Sequence, residues 1–262
     1  MAVKRFLLLA LIFSVMVTTA PALADGDFYV IAGGGGVGTK ITSLPYTIST
    51  PGFYYLSKDL STSGAGITVN ASHVTIDLMG FSLVGNDKTN TGIYMSGKTN
   101  VEVRNGTVRY FDKGIFEDSG NGANHRIINV RVEVNSLGIW FYGSGHLVKG
   151  CAAANNSNTG IYMDGGNISY NVLNNNSTGI YLGEGTITGN TIKNAAVGPA
   201  PGILCVGTGS IIGNTVTCNT GQSGIVASPG GSPVVVDQNS VGGSGTHYTT
   251  GSGTIKTISN AG

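Results

Sequence analysis

The sequence predicts an all-β fold: a right-handed parallel β-helix, a solenoid of about 8–9 coils with an N-terminal cap. Three observations carry this expectation. A Gly-Ile phrase recurs at Gly66-Ile67, Gly92-Ile93, Gly114-Ile115, Gly138-Ile139, Gly160-Ile161, Gly179-Ile180, Gly202-Ile203 and Gly224-Ile225. The glycines lie 26, 22, 24, 22, 19, 23 and 22 residues apart, a period near 22. Beyond the first 24 residues, apolar positions never keep helical spacing for three turns.

Residues 1–24 read as a signal peptide. Lys4 and Arg5 open it, Phe6 to Val17 form the apolar run, and Ala22-Leu23-Ala24 supplies the small-residue cleavage site. That run is too short to cross a membrane, and no second long apolar stretch follows. The mature chain is therefore expected to be secreted, extracellular or periplasmic, with no membrane span. Residues 25–60 are assigned as linker and N-terminal cap. The run Gly33 to Gly38 formally fits G-x-G-x-x-G, but no helical pattern follows it, so it reads as linker. Within 39–60, two short strands flank Thr50-Pro51-Gly52, with Phe53-Tyr54-Tyr55-Leu56 as the second. They would cover the first open edge of the solenoid.

Residues 61–262 form the helix, with a loosely patterned C-terminal tail. Each repeat has a first strand at the Gly-Ile phrase, a polar turn and a second β-rich run such as Val74-Thr75-Ile76-Asp77-Leu78. The isoleucines after the glycines are expected to stack as one inward column, each contributing roughly 1.5–3 kcal/mol. The glycine before each marks a corner with positive φ or a close backbone approach. His73, Asn100, His125, His146 and Asn167 read as one polar ladder before the second strand, and Asn129, Asn171, Asn190 and Asn214 as another. A metal site at the histidines is the alternative to the ladder. After Ala227 the pattern loosens, with Val234-Val235-Val236 as one more strand and Ile255 and Ile258 in a further one. Leucine-rich repeats would need leucines at fixed offsets, and propeller blades need about 40 residues.

Composition narrows the partners. A net charge of +1 creates no long-range field, which argues against nucleic acid and acidic membranes. Only 10% of residues are charged, yet 40% are hydrophobic and recur regularly, which argues for a packed core over disorder. Cys151, Cys205 and Cys218 have no zinc-like spacing, and no cofactor is implied. Cys205 and Cys218 fall in one repeat, so a bridge between them and three buried thiols both remain open.

The Gly-Ile-x-x repeats, with intervening Asn-Thr-Ile or Asn-Thr-Val, resemble the parallel β-helix repeat of the pectin-lyase-like superfamily. So do the coil from Ile67 to Gly80 and the segment from Ile41 to Ile48. The resemblance spans roughly residues 41–227 and implies the fold. Members include lyases, hydrolases and epimerases of acidic polysaccharides, phage tailspikes and adhesins, so it leaves activity open. The polygalacturonase Asn-Thr-Asp and Asp-Asp motifs are absent. Gly145-His146 matches half of Gly-His-Gly, with Leu147 in place of the second glycine. The Asp-Pro-His-Asp of alginate epimerases is also absent.

Strand alternation turns the second residue after each glycine outward. Tyr94, Phe116, Trp140, Tyr162 and Tyr181 then form an aromatic stripe about 19 Å long over five coils. Sugars present apolar C–H faces to such rings, so the stripe, with Tyr142 beside it, is the candidate ligand site and polysaccharide the candidate partner. The alternative is a ladder of rings that stiffens the sheet. Two positions further on, Asp118 and Asp164 flank Tyr142 at a backbone separation of roughly 9–10 Å. Inverting glycosidases hold their carboxyls about 6.5–9.5 Å apart, which makes these two the catalytic candidates. Glu117 between the rows should point inward unless its strand ends at Phe116, with Arg131 or Lys113 as partner. Arg104, Arg109, Arg126 and Arg131 could bind uronate carboxylates or pair with Glu102, Asp112 and Glu133. The leading reading is glycan binding at the stripe. Polysaccharide cleavage and a structural or adhesive surface role are the alternatives.

Overall fold

The structure is a computed structural model that describes residues 38–193, 200–227, 233–250 and 255–258. The expected signal peptide and the linker before residue 38 lie outside the described residues. The described chain is all strand with no helix. None of its elements is a helix long and apolar enough to cross a membrane.

The strands wind into a parallel β-helix with three strands per coil. Coils open at Tyr46, Ile67, Thr91, Lys113, Leu137, Thr159, Thr178, Ile203 and Ser223, and Thr246 begins a tenth. Each strand pairs in parallel with its equivalent one coil on. Ile115, for example, sits between Ile93 and Ile139 in the first sheet. Val103 sits between Ile76 and Ile127 in the second, and Ala153 between Val132 and Leu173 in the third. Residues 46–61 already make a coil in register with the next, through Tyr46↔Ile67, Tyr54↔Ile76 and Leu60↔Leu83. Thr39–Ile41 pairs with Gly52–Leu56 and covers the first edge of the second sheet. The loosely patterned tail continues the winding: Val234–Asp237 pairs with Gly209–Ile212, and Ser240–Gly243 with Thr215–Cys218.

Like stacks on like inside. Ile67, Ile93, Ile115, Ile139, Ile161, Ile180, Ile203 and Ile225 are all buried. Of the two explanations offered for the preceding glycine, close approach is the one the backbone requires. A Cβ on Gly92 or Gly114 would lie 2.6 Å from the carbonyl oxygen of the next repeat glycine, and neither has positive φ. Parallel coils pass so closely there that no side chain fits.

One device turns the corners. A residue in left-handed conformation is followed by one whose side chain points inward. At the second corner Asn129, Gly150, Tyr170, Gly189 and Gly213 have φ between 55° and 66°. The residues after them include Asn171, Asn190 and Asn214. Each accepts the backbone N–H of the inward residue one coil earlier: Cys151 to Asn171, Asn171 to Asn190, Asn190 to Asn214, and Asn214 to Asn239. Their amide groups donate to the carbonyls of Val148, Ile168, Ile187 and Ile211. The third corner repeats the device with Asn135, Asn156 and Asn176. Asn129 is therefore not in the ladder expected of it. It is the left-handed residue, and Val130 takes the inward place.

The first corner corrects the other expected column. His73, Asn100, Asn124 and Gly145 are the left-handed residues there, while His125 and His146 follow them and are buried. Asn167 pairs with Leu147 and faces outward. The turns before this corner differ in length from coil to coil, so counting from the repeat glycines slips the register by one.

Candidate functional site

The first sheet presents the expected aromatic row outward. Tyr94, Phe116, Trp140, Tyr162 and Tyr181 are paired in register across five coils and are each partly exposed. The rings form two groups. Tyr94 and Phe116 stack with centroids 5.9 Å apart. Trp140, Tyr162 and Tyr181 stack at 3.8 and 4.3 Å, within 8° of parallel. Tyr142 meets both Trp140 and Tyr162 edge-on, at 6.0 and 5.7 Å. Rings 4.8 Å apart along a sheet meet face to face, so they turn their edges outward and cover one another's faces. The Trp140 indole N–H is buried without an oxygen or nitrogen acceptor, beside the steeply tilted Tyr142 ring.

The two candidate aspartates each belong to a tyrosine. Tyr94 donates its hydroxyl to Asp118 at 3.1 Å, and Tyr162 to Asp164 at 3.0 Å. Asp118 is exposed and Asp164 half-buried. Burial, reinforced by the Asp164 carboxylate, holds the Tyr162 phenol well above its ordinary pKa. The outer edge of the row thus carries two hydroxyl–carboxylate pairs, donors and acceptors beside apolar ring edges.

Beneath this face lies the inward Glu117 that the alternation predicts, with partners that the sequence reading did not name. Glu117 points inward at the end of Lys113–Glu117 and is fully buried. Its partner is neither Arg131 nor Lys113. One carboxylate oxygen accepts the Gly97 and Ser119 backbone N–H groups at 2.9 and 2.6 Å. The other lies 3.2 Å from His125 Nε2. His125 Nδ1 accepts the Val101 N–H, and His146 Nδ1 accepts the His125 N–H. His146 Nε2 donates to the Tyr142 carbonyl at 2.9 Å. The two imidazoles stack 5.0 Å apart, against Phe141. All four ring nitrogens are engaged, and the backbone contacts fix both rings as acceptors at Nδ1. This is the asparagine ladder of the other corners, written with histidine. Burial and the neighbouring His125 pull the His146 pKa down to about 4.

The remaining candidates separate. Arg104 pairs with Asp77 and Glu102, Arg126 with Glu102, and Arg109 with Glu133. Asp112 pairs with Lys113, not with an arginine. Cys151, Cys205 and Cys218 are free, buried thiols, so Cys205 and Cys218 are not bridged. Burial pushes Cys151 and Cys205 up to about 11. Among the described residues no three histidine, cysteine, aspartate or glutamate side chains are grouped to hold a metal ion.

Among known proteins, the model of one family matches: residues 46–232 fit NosD, described as periplasmic copper-binding protein. No curated protein and no solved structure matches the chain. The matched span starts on the first residue of coil one and runs past the first strand of coil nine, well over half of the chain. A fold made of these coils, matched over these coils, places the chain in the NosD family of periplasmic copper-binding proteins.

Proposed function

We propose that this NosD-family β-helix binds an extended glycan along the outer face of its first sheet. One observation carries the reading: five consecutive coils put a partly exposed aromatic ring in one row, flanked by two tyrosine–aspartate pairs. Ring edges and Tyr142 supply apolar contact. Asp118 and Asp164 accept sugar hydroxyls, and Tyr94, Tyr162 and Tyr181 exchange hydrogen bonds with them. Two carboxylates on this face disfavour an acidic chain, so the ligand is a neutral polysaccharide. Its stacking is confined to ring edges and to the ends of the two ring groups, because the inner faces are taken up by neighbouring rings.

The family description also brings copper to consideration. Among the described residues, the histidines and cysteines do not form a copper site. The buried histidines have no ring nitrogen to give, and the three thiols are buried apart from them. Exposed His73 lies beside Asn100, and His247 beside the Gly243 carbonyl. Copper ligation needs imidazole or sulfur donors that converge, and these do not.

Trp140 is the only tryptophan, so its emission reports on the row. Titrating the protein with neutral polysaccharides should change that emission. Trp140→Ala should weaken binding roughly 5- to 100-fold, the range for one lost stacked ring. An unchanged emission with a glycan that is demonstrably bound places the site elsewhere. Release of reducing ends by the parent, lost in Asp118→Asn or Asp164→Asn, would turn the binding reading into one of cleavage.

A further inference from the structure

A second surface lies on the corner between the second and third strands, away from the aromatic row. A hollow of about 350 Å³ opens there over coils two to five, lined by Gly80, Asn105, Asn129, Arg131, Gly150 and Ala152 among others. A Cβ on Gly80 would meet nothing within 4 Å, so the space above it is open. The second and third strands of these coils carry Arg104, Arg109, Arg126, Arg131 and Lys149 against Asp77, Glu102 and Glu133. The carboxylates are taken by Arg104, Arg109 and Arg126. Arg131 and Lys149 are exposed and make no ion pair among the described residues. The local charge is positive although the chain as a whole is nearly neutral.

The next coil along sets an aromatic platform beside the hollow. Tyr170 is 63% exposed and Val172 56%, the two most exposed large apolar side chains of the described chain. Lys149 Nζ stands 5.9 Å from the Tyr170 ring centroid. Tyr170 also holds a left-handed backbone, φ 56°, where the flanking coils use Asn129, Gly150, Gly189 and Gly213. An aromatic residue is disfavoured in that conformation, and asparagine or glycine would serve the corner better. The ring lies over Gly189 of the following coil, where a Cβ would come 2.8 Å from its Cε1, yet it stays largely exposed beside two cations that make no ion pair among the described residues.

We propose that this corner is a binding site for an acidic sugar. Arg131 takes the carboxylate in a two-pronged contact from within the hollow, and Lys149 adds a second cation. The apolar face of the sugar ring lies on Tyr170. Arg131 and Tyr170 are two coils apart, so the ligand runs along the solenoid axis and spans more than one sugar unit. The site shares no residue with the aromatic row, and its failure would leave that reading standing.

Calorimetry with an oligoglucuronate, and with the neutral oligoglucose of the same length and linkage, tests the proposal on the purified protein. Neutral-chain binding supplied by the aromatic row should not respond to Arg131→Ala or to salt, whereas the acidic chain should bind with an affinity that falls with added salt. Arg131→Ala should weaken it at least tenfold, roughly the loss of one charged hydrogen-bonded contact. Tyr170→Gly should weaken it about fivefold or more, yet leave the melting temperature unchanged or raise it. Trp140→Ala should not alter it. Acidic-chain binding that Arg131→Ala leaves unchanged, or no acidic-chain binding, overturns the proposal. So does a Tyr170→Gly protein that melts lower but binds normally, since the ring would then serve the fold.

Discussion

At the level of single residues, His146 shows how a fold decides protonation. Its Nδ1 accepts the His125 N–H and its Nε2 donates to the Tyr142 carbonyl, so the neutral ring is the one that fits. The titratable groups facing it are His125 and, beyond that ring, Glu117. Its pKa falls from 6.5 to about 4. A histidine held neutral in the fold takes up a proton on unfolding throughout that interval. Its contribution is therefore complete above pH 6.5 and shrinks as pH drops, by about 3 kcal/mol in all by the time pH 4 is reached. Urea denaturation from pH 7 to 4 should show this acid-side loss. His146→Asn should flatten it, because asparagine can fill the same ladder position with no titrating ring. An unchanged pH slope in that variant would show that His146 is not the group responsible.

At the level of elements, the ladders decide the corners. A parallel coil cannot turn without bending its backbone away from sheet pairing, which leaves N–H and C=O groups inside. Asn190 satisfies the Asn171 N–H and the Ile168 carbonyl together. Asn190→Ala should cost about 3 kcal/mol, from buried groups left without partners. Asn167 is exposed on a strand, and Asn167→Ala should change stability by less than about 0.5 kcal/mol. Thermal melts of the two variants separate a buried ladder from a polar surface, and equal losses would contradict it. The aromatic row obeys the same stacking rule outside that the asparagines obey inside. That is why it stiffens its sheet as well as displaying chemistry to solvent.

At the level of the whole molecule, each coil rests on its neighbours only, so a charge driven into a middle coil opens the stack on both sides. Ile161 lies in the fully buried column between Ile139 and Ile180. Ile161→Asp should leave no folded protein, seen as loss of the cooperative melt and of β-type circular dichroism. Tyr162→Ser, one residue on and facing out, should fold. It should lose about 1–3 kcal/mol, from two stacked rings and one hydrogen bond. Similar damage from both substitutions would mean that the alternation is misassigned.

Repetition made the architecture legible without coordinates. A Gly-Ile phrase at a period near 22 specifies strands, their inward face and their stacking, because equivalent residues must lie on one another in a parallel coil. The outward row followed from the same alternation. The number of residues in each turn is not repeated, so register at the corners was decided only by the backbone. This is how His125 and His146 came inside, Asn129 and Asn167 came outside, and Glu117 found a histidine in place of a cation. The chain's order says which residues share a column when spacing is constant. Where loops vary, only three-dimensional closure of the coil brings groups such as Arg131, Gly150 and Tyr170 to one surface. The physical reason is that close packing of the coils fixes the strands, whereas each turn is free to take whatever length closes its own hydrogen bonds.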